Sequence, residues 1–161
     1  MSGAGKDKAL AYALKLLGYR QRSQRELRQR LRQKGFTDKE TRQAIEKLLE
    51  YGYVDDAATA RSLRDHAERV KLLGRSGARM FLRQRGIGTE DADLALEGYD
   101  ENSTALKLLE RKRGALAGLP RHVARRRLAG YLGRRGYSGE SLGRMLKAAL
   151  EDYEDETDNG G

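Results

Sequence analysis

The sequence predicts an all-α protein built as three tandem three-helix units, about nine helices, in an elongated repeat array. Three observations carry this expectation. First, among 161 residues there is one Pro and no Trp, while the helix formers Ala, Leu, Arg, Glu and Gln abound. Val and Ile are too scarce to fill a sheet core. Second, one segment occurs three times: 27–36 (LRQRLRQKGF), 78–87 (ARMFLRQRGI) and 128–137 (LAGYLGRRGY). Its glycines, Gly35, Gly86 and Gly136, lie 51 and 50 residues apart, and ten residues beyond each stands an apolar side chain, Ile45, Leu96 or Leu146. A fixed period near 50 is the mark of a repeat architecture. Third, between the copies, apolar residues follow helical spacing, as in Ala60, Leu63, Ala67 and Val70.

Taken in order, residues 1–8 are small and polar and read as a flexible N-terminus, and the first helix is expected near 8–19. Ser23-Gln24-Arg25-Glu26 has the form of a capping box and opens a helix at 24–34. Gly35 stops it: glycine enters the left-handed region without a Cβ clash, and the next residue, Phe36, folds back on Leu31. The same count pairs Ile87 with Leu82 and Tyr137 with Leu132, so each copy carries the apolar clasp of a Schellman stop. Thr37-Asp38-Lys39-Glu40 is a second capping box, opening a helix at 38–50. Later helices are expected near 56–73, 77–85, 89–98, 101–115, 121–135 and 139–152, with Gly88 or Thr89 and Ser138 as N-caps. The domain reading is an N-terminus 1–8, repeats 9–54, 55–100 and 101–150, and an acidic disordered tail 151–161. Fifty residues alone bury too little surface, so the repeats must share core.

Charge separates the body from the tail. The chain carries 33 Lys and Arg against 24 Asp and Glu, net +9. Six of the acids (Glu151, Asp152, Glu154, Asp155, Glu156 and Asp158) stand in the tail with no base, which leaves 1–150 with 18 acids and a net +15. A body that basic attracts polyanions: DNA, RNA or an acidic protein surface. The tail reads as a solubilising segment, with competition for the basic surface as the sharper alternative.

A search for catalytic apparatus returns little. There is no Cys, which excludes disulfides, thiolate metal sites and Cys nucleophiles. His66 and His122 sit among charged residues with no second ligand at helical spacing, and both read as surface histidines. Ser2-Gly3-Ala4-Gly5-Lys6 lacks the leading glycine, the Ser or Thr after Lys, and the preceding strand of a phosphate-binding loop. Asp55-Asp56 reads as the N-terminal cap of the helix near 56. No catalytic, cofactor-binding or metal site is expected, and the chain reads as a binding protein. No stretch approaches the ~20 apolar residues of a membrane span, so a soluble, cytoplasmic location is expected.

The binding candidates are basic residues on the middle helix of each unit: Arg25, Arg28, Arg32 and Lys34; Arg75, Arg79, Arg83 and Arg85; Arg125, Arg126, Arg127, Arg134 and Arg135. Arg28 with Arg32, and Arg79 with Arg83, are i, i+4 pairs that share a helical face. A solvated helix face would also be charged, but it mixes signs; this bias is one-signed and in register with the repeat. Arg grips phosphate or carboxylate with a bidentate fork, so charge alone does not choose between DNA and an acidic protein groove. Ten aromatics, several committed to clasps, make a poor base-stacking platform.

Ala11-Tyr12-Ala13-Leu14 with Arg22-Ser23-Gln24-Arg25-Glu26-Leu27 resembles the opening of the RecX family of bacterial recombination regulators. Gly52-Tyr53-Val54-Asp55-Asp56 is similar to that family's Gly-Tyr-Leu/Ile-Asp-Asp segment, with Val54 a mild departure. Lys71, Gly74 and 82–87 look like its middle section, and Arg134-Arg135-Gly136-Tyr137-Ser138 looks like its closing motif. The likeness covers 9–150 and leaves out the acidic tail. It implies a protein, expected to be a monomer, that lies in the helical groove of the RecA filament on single-stranded DNA. There it would lower RecA's ATP hydrolysis, strand exchange and coprotease activity, and so limit recombination and the SOS response. It brings no catalytic residues and no cofactor. The alternative is a nonspecific DNA-binding protein acting by competition for DNA.

Overall fold

The computed structural model describes residues 3–151 and 153. Among them are nine α-helices and no strand: α1 Gly3–Tyr19, α2 Gln24–Lys34, α3 Asp38–Glu50, α4 Asp56–Arg69, α5 Arg75–Gln84, α6 Thr89–Ala95, α7 Glu101–Leu116, α8 Arg121–Arg134 and α9 Gly139–Glu151. The all-α repeat reading therefore holds. Of the expected acidic tail, all but Glu151 and Tyr153 lies outside the described residues.

All three Schellman stops form. The amide of Phe36 reaches the Leu31 carbonyl at 3.1 Å, Ile87 that of Leu82 at 3.1 Å, and Tyr137 that of Leu132 at 3.1 Å. The glycines stand at φ +106, +87 and +85. A fourth stop ends α3, where Tyr53 bonds to Leu48 at 2.9 Å across Gly52 at φ +74.

Several boundaries move. α1 begins at Gly3, so the part of the expected N-terminal coil that the structure describes is helix. Its Ala and Lys residues favour that state, and Ala9 and Ala13 are buried on the next turns. α4 ends at Arg69 rather than near 73 because the amides of Val70 and Lys71 both turn back to the His66 carbonyl. Leu72 then takes φ +51, which no glycine announces; its side chain is 1% exposed, and burial holds the strained backbone. α6 stops at Ala95, where the expected helix ran to 98.

The residues group into two compact units. One comprises residues up to Leu63 with Leu82–Ala95, and the other Arg64–Phe81 with residues from Leu96 onward. In the first unit, Ala9 and Ala13 of α1, Leu27 and Leu31 of α2, and Ala44, Ile45 and Leu48 of α3 make the core with Val54. Alanines on α1 let the helices approach closely, while each buried Leu contributes about 1.5–3 kcal/mol. In the second, Leu72, Ala105, Leu108, Leu128, Leu132, Tyr137, Met145 and Leu146 form the core.

The motifs that carry the resemblance are joints within these units. In the first unit, Ser23 is fully buried; its Oγ accepts the Glu26 amide at 3.2 Å and donates to the Arg85 carbonyl at 2.7 Å. The expected box at this site is half-formed, because the Glu26 carboxylate turns to Arg20 and Arg22 instead. Arg22, itself buried, also donates to the Leu16 carbonyl at 3.3 Å. At Thr37 the box is complete. Asp55 caps α4 through the Ala58 amide at 3.1 Å. Asp56 departs from the cap expected of it: its carboxylate accepts the Gln24 amide at 2.9 Å and so serves the start of α2.

In the second unit, three consecutive carbonyls after α4 each receive a side-chain donor. Lys71 takes the Arg135 guanidinium, Leu72 takes the Tyr137 hydroxyl at 3.0 Å, and Leu73 takes the Tyr99 hydroxyl at 2.7 Å. The Gly74 amide donates to the Arg135 carbonyl at 2.8 Å. Backbones meet here without room for a side chain, since a Cβ on Gly136 would lie 2.1 Å from the Gly77 nitrogen. Burial raises both phenols above the ordinary tyrosine value, Tyr99 to about 12 and Tyr137 further.

Candidate polyanion-binding recesses

In the first unit, the end of α5 docked by Ser23 lies beside α2 and leaves a groove of about 560 Å³. Arg20, Arg25, Arg30, Arg83 and Arg85 line it, with glutamines between them and Glu26 as the single acid among the described residues. Helical spacing explains the membership: Arg25, Gln29 and Gln33 recur at i+4 on the face of α2 that Leu27 and Leu31 do not use. Gly86 forms part of the wall because a Cβ there would strike Ser23 Oγ at 2.5 Å and Arg25 Cβ at 3.0 Å. Arg20 donates to both oxygens of Glu26, and Arg22 meets the same carboxylate at 2.5 Å. Burial pushes the Glu26 carboxyl up, but the hydrogen bonds and charges of Arg20 and Arg22 outweigh it and hold the group below its usual 4.5. Glu26 is thus ionised and committed to two arginines. Arg83 keeps its guanidinium near the groove by donating to the Ile87 carbonyl at 3.2 Å.

In the second unit, α7 and α8 enclose a recess of about 310 Å³. Lys112, Arg126, Arg127 and Arg134 line it around Tyr131, over apolar walls that include Leu116 and Leu128, and among the described residues no carboxylate lines it. The Lys112 ammonium stands 4.2 Å from the Tyr131 ring centre and the Arg135 guanidinium 4.8 Å, cation–π contacts that orient both cations.

The structure therefore divides the basic candidates. It gathers Arg25, Arg83 and Arg85 in the first recess, and Arg126, Arg127 and Arg134 in the second. Arg28 and Arg32 share a face as their spacing requires, but a different one: Arg28 leans on Gln24 at 3.4 Å and Arg32 pairs with Asp38 at 2.9 Å. Lys34 lies 5.5 Å over the Tyr12 ring. Arg75 donates to the Leu96 carbonyl at 2.8 Å and Arg135 to Lys71, so both are structural donors. Arg79 and Arg125 are exposed and line neither recess. Sequence reasoning missed Arg20, Arg30 and Lys112. Arg20 and Lys112 lie outside the middle helices, and Arg30 falls off the 28/32 face; its i, i+4 relation to Glu26, beside Arg25, is the available signal. His66 is exposed with its ring stacked on Phe81, centroids 6.0 Å apart, and His122 is exposed. Among the described residues no group of three or more His, Asp or Glu could hold a metal ion, and no helix is long and apolar enough to cross a membrane.

Among the described residues the chain is all-helical and built of repeated three-helix units, with a recess lined by several arginines in each compact unit: it is a helical-repeat protein. Comparison with known families narrows that class. Residues 9–48 match the first three-helix domain of RecX and residues 99–141 the third. The regulatory protein RecX of Thermobifida fusca is 33% identical over 147 residues, covering 89% of this chain and 80% of its own. That of Prosthecochloris aestuarii is 32% identical, covering 93% and 99%. The chain belongs to the RecX family. Its fold is similar to the crystal structure of RecX from Lactobacillus salivarius, with a TM-score of 0.78 at 19% identity over 90% of this chain and 96% of that one. A second RecX crystal structure gives 0.73 at 26% identity, over 89% and 73%.

Proposed function

We propose that this chain, a cytoplasmic monomer, binds the RecA filament on single-stranded DNA within its helical groove and inhibits RecA. The reading follows from membership in a family of regulatory proteins together with one observation: each compact unit gathers several arginines in a recess whose described lining holds at most one acid. Repeated weak sites suit a periodic partner, because each contact made raises the effective concentration of the next. Guanidinium forks fit both carboxylates on the recombinase and phosphates of its DNA. Occupation of the groove would then block the filament's ATP hydrolysis, strand exchange and coprotease activity.

The test is RecA's single-stranded-DNA-dependent ATP hydrolysis, with the protein added to preformed filaments well below the RecA concentration. Inhibition at that dose is expected, and replacing Arg25, Arg30, Arg83 and Arg85 with Gln should raise the half-inhibitory concentration at least tenfold, each rim charge contributing a few tenths of a kcal/mol to 1 kcal/mol. Arg32→Gln, outside the groove, should act within twofold. Inhibition only at concentrations that coat the DNA, with equal affinity for DNA that carries no RecA, would replace this reading with nonspecific competition for DNA. Unchanged hydrolysis at equimolar protein would end it.

A further inference from the structure

We propose that the recess between α7 and α8 holds one unpaired nucleotide of a single strand, its base against the apolar wall and its phosphates on the cations. Composition separates this recess from the groove of the first unit. The lining described there is arginine, glutamine, Glu26 and Gly86, which offers an anion charge and hydrogen bonds but gives a flat apolar ring nothing to rest on. The second recess sets Lys112, Arg126, Arg127 and Arg134 over a wall of Ala115, Leu116, Leu128 and Gly130. A carboxylate or a bare phosphate would use only the cations. An apolar wall beneath them fits a ligand that is anionic at one end and flat and apolar at the other, which is the chemistry of a nucleotide.

Gly130 shapes the floor. It occupies the repeat position held by Gln29 and Met80 in the other two copies, so the third copy alone bares its backbone there. Glycine inside a helix destabilises it relative to alanine, and nothing in the turn chemistry of α8 calls for one at mid-helix. A Cβ on Gly130 would lie 3.2 Å from Arg134 Nη1, so the guanidinium one turn on lies over the bare backbone. Bases stack on guanidinium planes as they do on aromatic rings. The Tyr131 ring is already engaged by Lys112 at 4.2 Å and Arg135 at 4.8 Å, which makes Arg134 the stacking plane and leaves Lys112, Arg126 and Arg127 to the phosphates. A duplex is excluded, because its bases are stacked and paired and do not enter a side pocket. The assignment rests on the function proposed above, in which single-stranded DNA is the surface at hand, and it names what the second recess takes from it.

The test measures binding of the full chain to a short single-stranded oligonucleotide and to the same oligomer with every base removed, which keeps the phosphates. The normal strand should bind about tenfold more tightly, the size of one base contact. Gly130→Leu should raise the urea midpoint, since leucine favours helix and its Cβ meets only the far end of a flexible arginine, yet it should bring the normal strand down to the abasic affinity. Gly130→Ala, which adds the Cβ alone, should lose part of the preference. Arg126→Gln with Arg127→Gln should weaken both strands alike and lower the salt slope by about two, while Arg25→Gln with Arg83→Gln, in the first groove, should leave the base preference intact. Equal binding of the two strands would overturn the proposal and leave a site for phosphate alone. So would a base preference that survives Gly130→Leu, or an acidic peptide of matching charge that binds as tightly as the normal strand. A protein that shows the preference yet leaves RecA hydrolysis untouched would keep the nucleotide site and remove the RecA reading; one that inhibits RecA without any preference would do the reverse.

Discussion

Three glycines that look equivalent in the repeat should respond very differently to alanine. Each closes a helix at positive φ, so each Ala substitution carries a left-handed penalty of about 1 kcal/mol. At Gly35 that is all, because a Cβ there meets nothing within 4 Å. At Gly86 the Cβ would lie 2.5 Å from Ser23 Oγ, forcing Ser23 to rotate. That breaks its bond to the Arg85 carbonyl and uncaps α2, each about 1 kcal/mol, for a total of about 3 kcal/mol. At Gly136 the obstacles are the Gly77 nitrogen and Cα at 2.1 and 2.2 Å, which cannot rotate away. The two backbones must part by more than 1 Å to reach ordinary contact. The Gly74–Arg135 bond and the side-chain bonds to Lys71 and Leu72 then fail together, for a loss of about 4 kcal/mol. For units of this size 1 kcal/mol corresponds to about 4–8 °C in Tm. Urea unfolding followed by circular dichroism, with hydrogen exchange to assign each loss to its unit, measures all three. Equal losses at Gly35 and Gly136 would show that the close backbone crossing does not exist.

Other perturbations follow from the same contacts. Tyr137→Phe should cost about 1–2 kcal/mol in chemical denaturation by leaving the buried Leu72 carbonyl unpaired. In wild type the raised phenol values of Tyr99 and Tyr137 make their contribution complete below pH 10 and lost as pH climbs through about 12. Glu26 has the opposite sign: its lowered carboxyl contributes stability above its usual 4.5 that is lost as pH falls through the folded value. Glu26→Gln should therefore be less stable at neutral pH and lack that part of the acid loss. Asp56 is raised, burial being the first cause, so its charged form is the disfavoured one in the folded state. Asp56→Asn, which keeps an acceptor for Gln24, should hold or gain stability at pH 7, whereas Asp56→Ala should lose about 1 kcal/mol. A loss with Asn as large as with Ala would mean the charge, not the acceptor, matters.

The fold was legible because its punctuation is local. Gly35, Gly86 and Gly136, with the apolar residue after each, mark three helix ends that need no tertiary information, and Thr37 with Glu40 marks a start. The stop at Arg69 was hidden because Leu72 takes a left-handed backbone for the sake of a core position made by residues 105–146. From sequence Asp56 is a cap for its own helix, and only the fold brings Gln24 to it. The recesses were half legible. Charge counting found Arg25, Arg83, Arg126, Arg127 and Arg134, but it weighted Arg28 and Arg32 equally with Arg25, because a helix face says nothing about which element packs beside it. Arg20 and Lys112 join their clusters only through tertiary packing.

The carbonyls of Lys71, Leu72 and Leu73 also impose an order on synthesis. A chain made from its N-terminus releases residues 64–81 long before Tyr99, Arg135 and Tyr137 leave the ribosome. The first unit already has all its residues once Ala95 has emerged, so it can close while the intervening eighteen-residue stretch still lacks its donors. That stretch spends the rest of translation with polar backbone groups answered only by water. Premature termination between Ala95 and Tyr137 should then yield a chain folded around α1–α3 with a protease-sensitive loop between Arg64 and Phe81, which makes the interior of the chain, not its end, the place where quality control first reads an unfinished copy.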